Sequence, residues 1–150
     1  MPALVPVLFG TAGLVDGERY VLGADADLVL GRSRSCDISL RRSAGYLKAP
    51  PTTRDNDHDF NTVSRRHLRL AIRGNTITLH DLSTNGTFCD DEQLREARPL
   101  NLTEGKRFLI RLGTRETFAL EFVSAEDVRI IDLKPVTGNN SAGSAVHLSE

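Results

Sequence analysis

Two alternating runs constrain the fold of this chain most: His67 to Ile72 (HLRLAI) and Thr76 to Leu82 (TITLHDL). In the first, Leu68, Leu70 and Ile72 alternate with His67, Arg69 and Ala71. In the second, Ile77 and Leu79 alternate with Thr76 and Thr78. Period two places each apolar set on one face of a half-buried strand, and Gly74-Asn75 between the runs suits a hairpin turn. Similar short stretches recur between turn signals at VPVLF (5 to 9), RYVL (19 to 22), DLVLG (27 to 31), DISL (37 to 40), RFLIRL (107 to 112) and TFALEFV (117 to 123). No segment sustains the i, i+3, i+4, i+7 stripe of an amphipathic helix. Many short strands with turn punctuation predict an all-β sandwich or barrel.

With 150 residues, 39% of them hydrophobic, the chain can build one core, which predicts a single domain. Nineteen Lys and Arg residues nearly balance 20 Asp and Glu, so global charge does not argue for nucleic acid or a membrane as partner, and any electrostatic site has to be local. Cys36 and Cys89 form neither a metal-ligand pattern nor a disulfide framework, and read as buried, reduced residues of a cytoplasmic protein. The N-terminal run lacks a basic region and is broken by Pro6 and Gly10, so it reads as a first strand and not a secretory signal. No apolar stretch is long enough to cross a bilayer. Residues 41 to 62, polar and carrying Pro50-Pro51, read as a flexible insertion of about twenty residues, longer than a structureless loop usually runs. The folded domain is expected over 1–133. The Gly-, Ser- and Asn-rich 134–150 is expected to be a disordered tail.

Three short stretches hold the polar residues of interest: Gly31-Arg32-Ser33, Ser64-Arg65-Arg66-His67 and Ser83-Thr84-Asn85-Gly86. Brought to one rim of a sandwich, they would offer a guanidinium, hydroxyls and a carboxamide, all hydrogen-bond donors. That set suits a phosphate dianion and, without a carboxylate or thiolate cluster, is poor for metals; no cofactor is implied.

GRS, SRRH and DLSTNGTF, in this order and followed by Leu102, Gly105 and Gly113, resemble the motif set of the forkhead-associated (FHA) domain, a phosphothreonine-peptide-binding β-sandwich of two sheets with binding loops at one end. The resemblance spans roughly residues 5 to 123. It implies that Arg32, Ser64, Arg65 and Thr84 contact phosphate, that Asn85 holds the peptide main chain, and that Gly31, His67 and Gly86 support the site. It further implies an interaction module without catalytic activity, a signalling adaptor whose partner is a protein phosphorylated by a Ser/Thr kinase. The chain departs from the family pattern where Cys89-Asp90-Asp91 follows NGTF and where residues 41–62 lengthen the approach to Ser64.

Other readings compete with these. Arg66 and Arg69 read as a solvated face, and Thr84-Asn85-Gly86 by itself as a turn. Ser64, His67 and Asp81 contain the residue types of a hydrolytic triad, but no nucleophile elbow is visible. A phosphate-independent scaffold on the same fold is the main alternative. The protein is expected to be a monomer, with one conditional exception: phosphorylation of Thr52, three residues before Asp55, would allow self-association through the site.

Overall fold

The computed structural model describes residues 4–101, 103, 105–127, 133 and 135–137. Its strands are β1 (Leu4–Ala12), β2 (Arg19–Leu22), β3 (Asp27–Gly31), β4 (Ile38–Ser39), β5 (Leu68–Arg73), β6 (Thr76–Asp81), β7 (Thr87–Cys89), β8 (Glu92–Gln93), β9 (Arg98–Asn101), β10 (Arg107–Leu112), β11 (Glu116–Ser124) and β12 (Pro135–Val136). They form two mixed sheets, β12-β2-β1-β11-β10-β7-β8 and β4-β3-β5-β6-β9. The expected all-β sandwich is therefore the fold.

The alternation in β5 and β6 does what period two requires. Leu70 faces Leu79 and Ile72 faces Ile77 across the hairpin, all four fully buried, while Arg69 and His80 pair on the outer face. Leu28 and Leu30 of β3 join them from one sheet, and Leu8, Ile110, Leu112, Phe118 and Leu120 from the other. Cys36 and Cys89 are free thiols in the interior, as expected. Among the described residues no helix is long and apolar enough to cross a membrane.

Residues 41–62, expected as a flexible insertion, carry local secondary structure. They contain three short helices, α1 (Ala44–Lys48), α2 (Pro51–Asp55) and α3 (His58–Asn61). Each is too short to display an apolar stripe, which is why the periodicity missed them, but their caps are in the sequence. The Ser43 side chain accepts from the Tyr46 N–H, that of Asp57 accepts from the Phe60 N–H, and Pro51 occupies the first turn of α2. Phe60 is buried, and the Tyr46 ring stacks on it at 5.0 Å between centroids. The pairing of Pro135 and Val136 with Val21 and Leu22 also carries ordered structure past residue 133, and 138–150 lie outside the described residues.

Strand direction sets where function can reside. The antiparallel pairings of β3 with β5, β5 with β6 and β10 with β11 bring the segments 32–37, 62–67, 82–86 and 113–115 to one end of the sandwich. All three polar stretches lie in these segments, save Gly31, which ends β3.

Candidate functional site

The end of β3 and the segment before β5 are laced together by main-chain bonds. Arg32 N–H donates to the Ser64 carbonyl at 3.1 Å, Ser33 N–H to that of Arg65 at 3.0 Å, and His67 N–H to that of Leu30 at 2.8 Å. Gly31 permits this contact, because a Cβ there would lie 2.1 Å from the Arg65 carbonyl oxygen. The Cys36 thiol donates to the same oxygen at 3.1 Å. The Arg32 Nε–H donates to the Val63 carbonyl, which aims a half-buried guanidinium along the rim.

His67 joins the two remaining loops. Its Nδ1 accepts the Ser64 N–H at 2.9 Å, so the proton sits on Nε2, which donates to the Gly86 carbonyl at 2.9 Å. The ring is fully buried, and burial holds its pKa below the ordinary value against the Gly86 bond and the charge of Asp81. A second proton would have to displace the Ser64 N–H. Gly86 adopts φ 104°, a left-handed value that favours glycine, and its N–H donates to the Ser83 hydroxyl at 2.8 Å. Asp81 organises the turn beneath: its Oδ1 accepts from Ser83 N–H, Ser83 Oγ–H and Thr87 Oγ1–H at 3.0, 2.6 and 2.8 Å.

Two bonds then close the loops on each other. Thr84 N–H donates to Ser64 Oγ at 3.0 Å, which leaves the Ser64 hydroxyl proton directed elsewhere. Asn85 Nδ2–H donates to the Thr62 carbonyl at 3.0 Å. The structure thus gathers Arg32, Ser64, Thr84 and Asn85 on one rim, with the Arg65, Thr84 and Asn85 side chains exposed and Ser64 half-buried. Gly31, His67 and Gly86 lie behind them as packing and hydrogen-bonding supports.

A hydrolytic triad is not formed here. The His67 imidazole meets the main-chain N–H of Ser64 and not its hydroxyl, and Asp81 Oδ1 is committed to Ser83 and Thr87. Among the described residues no cluster of three His, Cys, Asp or Glu side chains could hold a metal ion. Thr52 is exposed on α2, and its carbonyl accepts from Asn56 Nδ2 at 2.8 Å.

Sequence reasoning missed Thr62 and Thr114. Thr62 Oγ1 donates to the Asp59 carbonyl at 2.6 Å and accepts from the Thr114 N–H at 3.1 Å, and its carbonyl receives Asn85. No local signal marks it. The supporting turn of Asp81 and Ser83 was legible, since an Asp followed two residues later by a Ser is Asx-turn chemistry.

The model of the FHA domain matches residues 28–113, more than half of the chain, and the chain belongs to that family. No curated protein sequence matches it. Among solved structures, the FHA domain of an Arabidopsis thaliana hypothetical protein is similar in fold: 22% identity, TM-score 0.60, covering 85% of this chain and 91% of that one. An FHA domain solved in a study of phosphothreonine-dependent FHA domain interactions is 27% identical, with TM-score 0.52 and coverage of 77% and 94%. Mycobacterium tuberculosis EmbR, in complex with a low-affinity phosphopeptide, is 28% identical, with TM-score 0.54 over 81% of this chain and 25% of that one.

Proposed function

We propose that this FHA domain binds a phosphothreonine-bearing segment of a partner protein and acts as a non-catalytic signalling adaptor in the cytoplasm. The observation that carries the proposal is the rim itself, where main chains are tied together while donor side chains face outward. Arg32 and Arg65 supply guanidinium charge, the Ser64 and Thr84 hydroxyls supply single donors, and Asn85 offers a carboxamide for the ligand main chain. A lining rich in donors, with two guanidinium groups and no carboxylate among these five residues, favours a phosphate dianion over a neutral ligand. The phosphopeptide in the EmbR complex supports the same reading.

Self-association through phosphorylated Thr52 belongs to this proposal only if α2 unwinds. A segment grasped by Asn85 along its main chain has to be extended, whereas Thr52 stands in a helix whose carbonyl is bonded by Asn56.

Isothermal titration calorimetry of a degenerate phosphothreonine peptide pool and its unphosphorylated twin tests the reading. Charge-assisted bonds contribute about 1.5–3 kcal/mol each, so Arg32→Ala should weaken phosphopeptide binding roughly ten- to a hundredfold, and rising salt should weaken it further. Equal heats from both pools with folded protein would sink the proposal in favour of a phosphate-independent scaffold.

A further inference from the structure

Arginines on the two sheets mostly meet carboxylates. Arg69 pairs with Asp27 at 2.7 Å, Arg98 with Glu92 at 3.0 Å, Arg107 with Glu121 at 3.9 Å and Arg111 with Asp91 at 3.2 Å, while Arg73 bonds main-chain carbonyls and, in the 113–115 turn, Arg115 pairs with Glu116 at 2.7 Å. On the 32–37 and 64–66 segments the pattern changes. Arg34, Arg65 and Arg66 are exposed, and none of them makes an ion pair among the described residues. The bonds from Arg32 N–H to Ser64 and from Ser33 N–H to Arg65 lay the 32–37 and 64–66 segments side by side, so Arg34, Arg65 and Arg66 stand on adjoining main chains along one flank of the rim. Arg32 stands at the root of the same flank.

The opposite flank has the other sign of chemistry available. Beyond Asn85 lie Thr62, Thr114 and Asp59, with Thr114 Oγ1–H donating to Asp59 Oδ1 at 2.7 Å and Arg115 already engaged with Asp57 at 3.0 Å and with Glu116. A bound segment crossing the rim would therefore meet unpaired guanidinium groups on one side of its phosphate and a hydroxyl-carboxylate surface on the other. Unpaired exposed arginines are poor stability devices, but they raise the local concentration of anions and fit phosphate or carboxylate in two-pronged fashion.

We propose that Arg34 and Arg66 form a second anion subsite, so that the preferred ligand carries additional negative charge on one side only of its phosphothreonine. This rests on the reading of the rim as a phosphothreonine site and specifies the ligand class. The shared chemistry is an anionic group, supplied either by a second phosphate or by aspartate and glutamate side chains.

Fluorescence anisotropy with a matched peptide set separates the outcomes. One peptide carries phosphothreonine among neutral residues; others add a phosphoserine or two aspartates before it, or the same groups after it. At low salt the added anion should tighten binding about three- to tenfold from one side, with the gain removed by Arg34→Ala/Arg66→Ala, while that variant keeps the affinity for the neutral peptide within about twofold. A larger gain from phosphoserine identifies a second phosphate as the preferred source, and equal gains identify general acidic residues. No gain, equal gains from both sides, or a gain retained by the double variant overturns the subsite. Tight binding of a short DNA duplex lost in the same variant also overturns it, as a nucleic-acid contact. Failure of every phosphopeptide to bind would strike the parent reading instead.

Discussion

The polar rim and the helical segment that leads into it are neighbours joined at Thr62, yet they are held by different means. At the rim, main-chain groups do most of the holding: Arg32, Ser33 and His67 N–H groups donate to Ser64, Arg65 and Leu30 carbonyls, and the buried His67 ties Ser64 to Gly86. Residues 43–62 are held mainly by side chains. Tyr46 stacks on Phe60, the Arg54 guanidinium lies 4.7 Å over the Tyr46 ring, and Asp57 pairs with Arg115. The difference teaches where substitution is free. At the rim the exposed Arg65 and Thr84 side chains can change without unfolding the loops that carry them, whereas those of Ser64 and Asn85 also close the loops on each other. In the helical segment, side-chain identity is the structure.

The comparison breaks most easily at Phe60. Phe60→Ala removes a fully buried ring from the main core and should cost about 3–5 kcal/mol in urea unfolding. A loss below about 1 kcal/mol would mean that the helical segment does not depend on its side chains. His67→Ala comes next at about 2–4 kcal/mol, since it empties a buried volume and leaves the Ser64 N–H and Gly86 carbonyl short of a partner. It should also weaken phosphopeptide binding, whereas Arg65→Ala should leave the unfolding midpoint unchanged while weakening binding. Similar stability losses from both would dissolve the distinction between support and tip.

Thr62→Val sharpens the junction. It keeps the shape and the carbonyl that receives Asn85 but loses the bonds to Asp59 and Thr114, for about 1–2 kcal/mol by urea unfolding. The smallest effect is a pH dependence. The folded-state pKa of His67 is held below its ordinary 6.5 by burial, so its stabilising contribution is complete above about pH 6.5 and declines as pH falls from there toward the folded value. The slope is at most about 1.4 kcal/mol per pH unit for one proton. Stability curves of wild type and His67→Ala should converge as pH falls through that window. Parallel curves would show that His67 is not excluded from protonation in the fold.

Much of this was legible from residue order, though unevenly. β1, β2, β3, β5, β6, β10 and β11 were readable because each spans at least four residues and carries apolar side chains in a pattern set by the pleat, and β4, only two residues long, was read within DISL. β7, β8, β9 and β12, at two to four residues each, offer too few alternations to be told from loop. The short helices of 43–62 were missed for a similar reason, although Ser43, Pro51 and Asp57 announced their starts. At the site, Arg32, Ser64, Thr84 and Asn85 were nominated by residue type and motif, and the fold does bring them to one rim.

Beyond the motif resemblance that chose a sandwich over a barrel, the sequence by itself determined the all-β class, the β5-β6 hairpin and the donor-rich character of three loops. These follow from local quantities: side-chain period, turn chemistry and hydrogen-bonding type. Only the tertiary structure decided that Thr62 receives Asn85, that His67 reads both Ser64 and Gly86, and that Arg34 and Arg66 stand without carboxylates beside the rim. Each is a relation between segments separated along the chain, created when sheet pairing fixes which loop ends meet, and no local pattern carries that information.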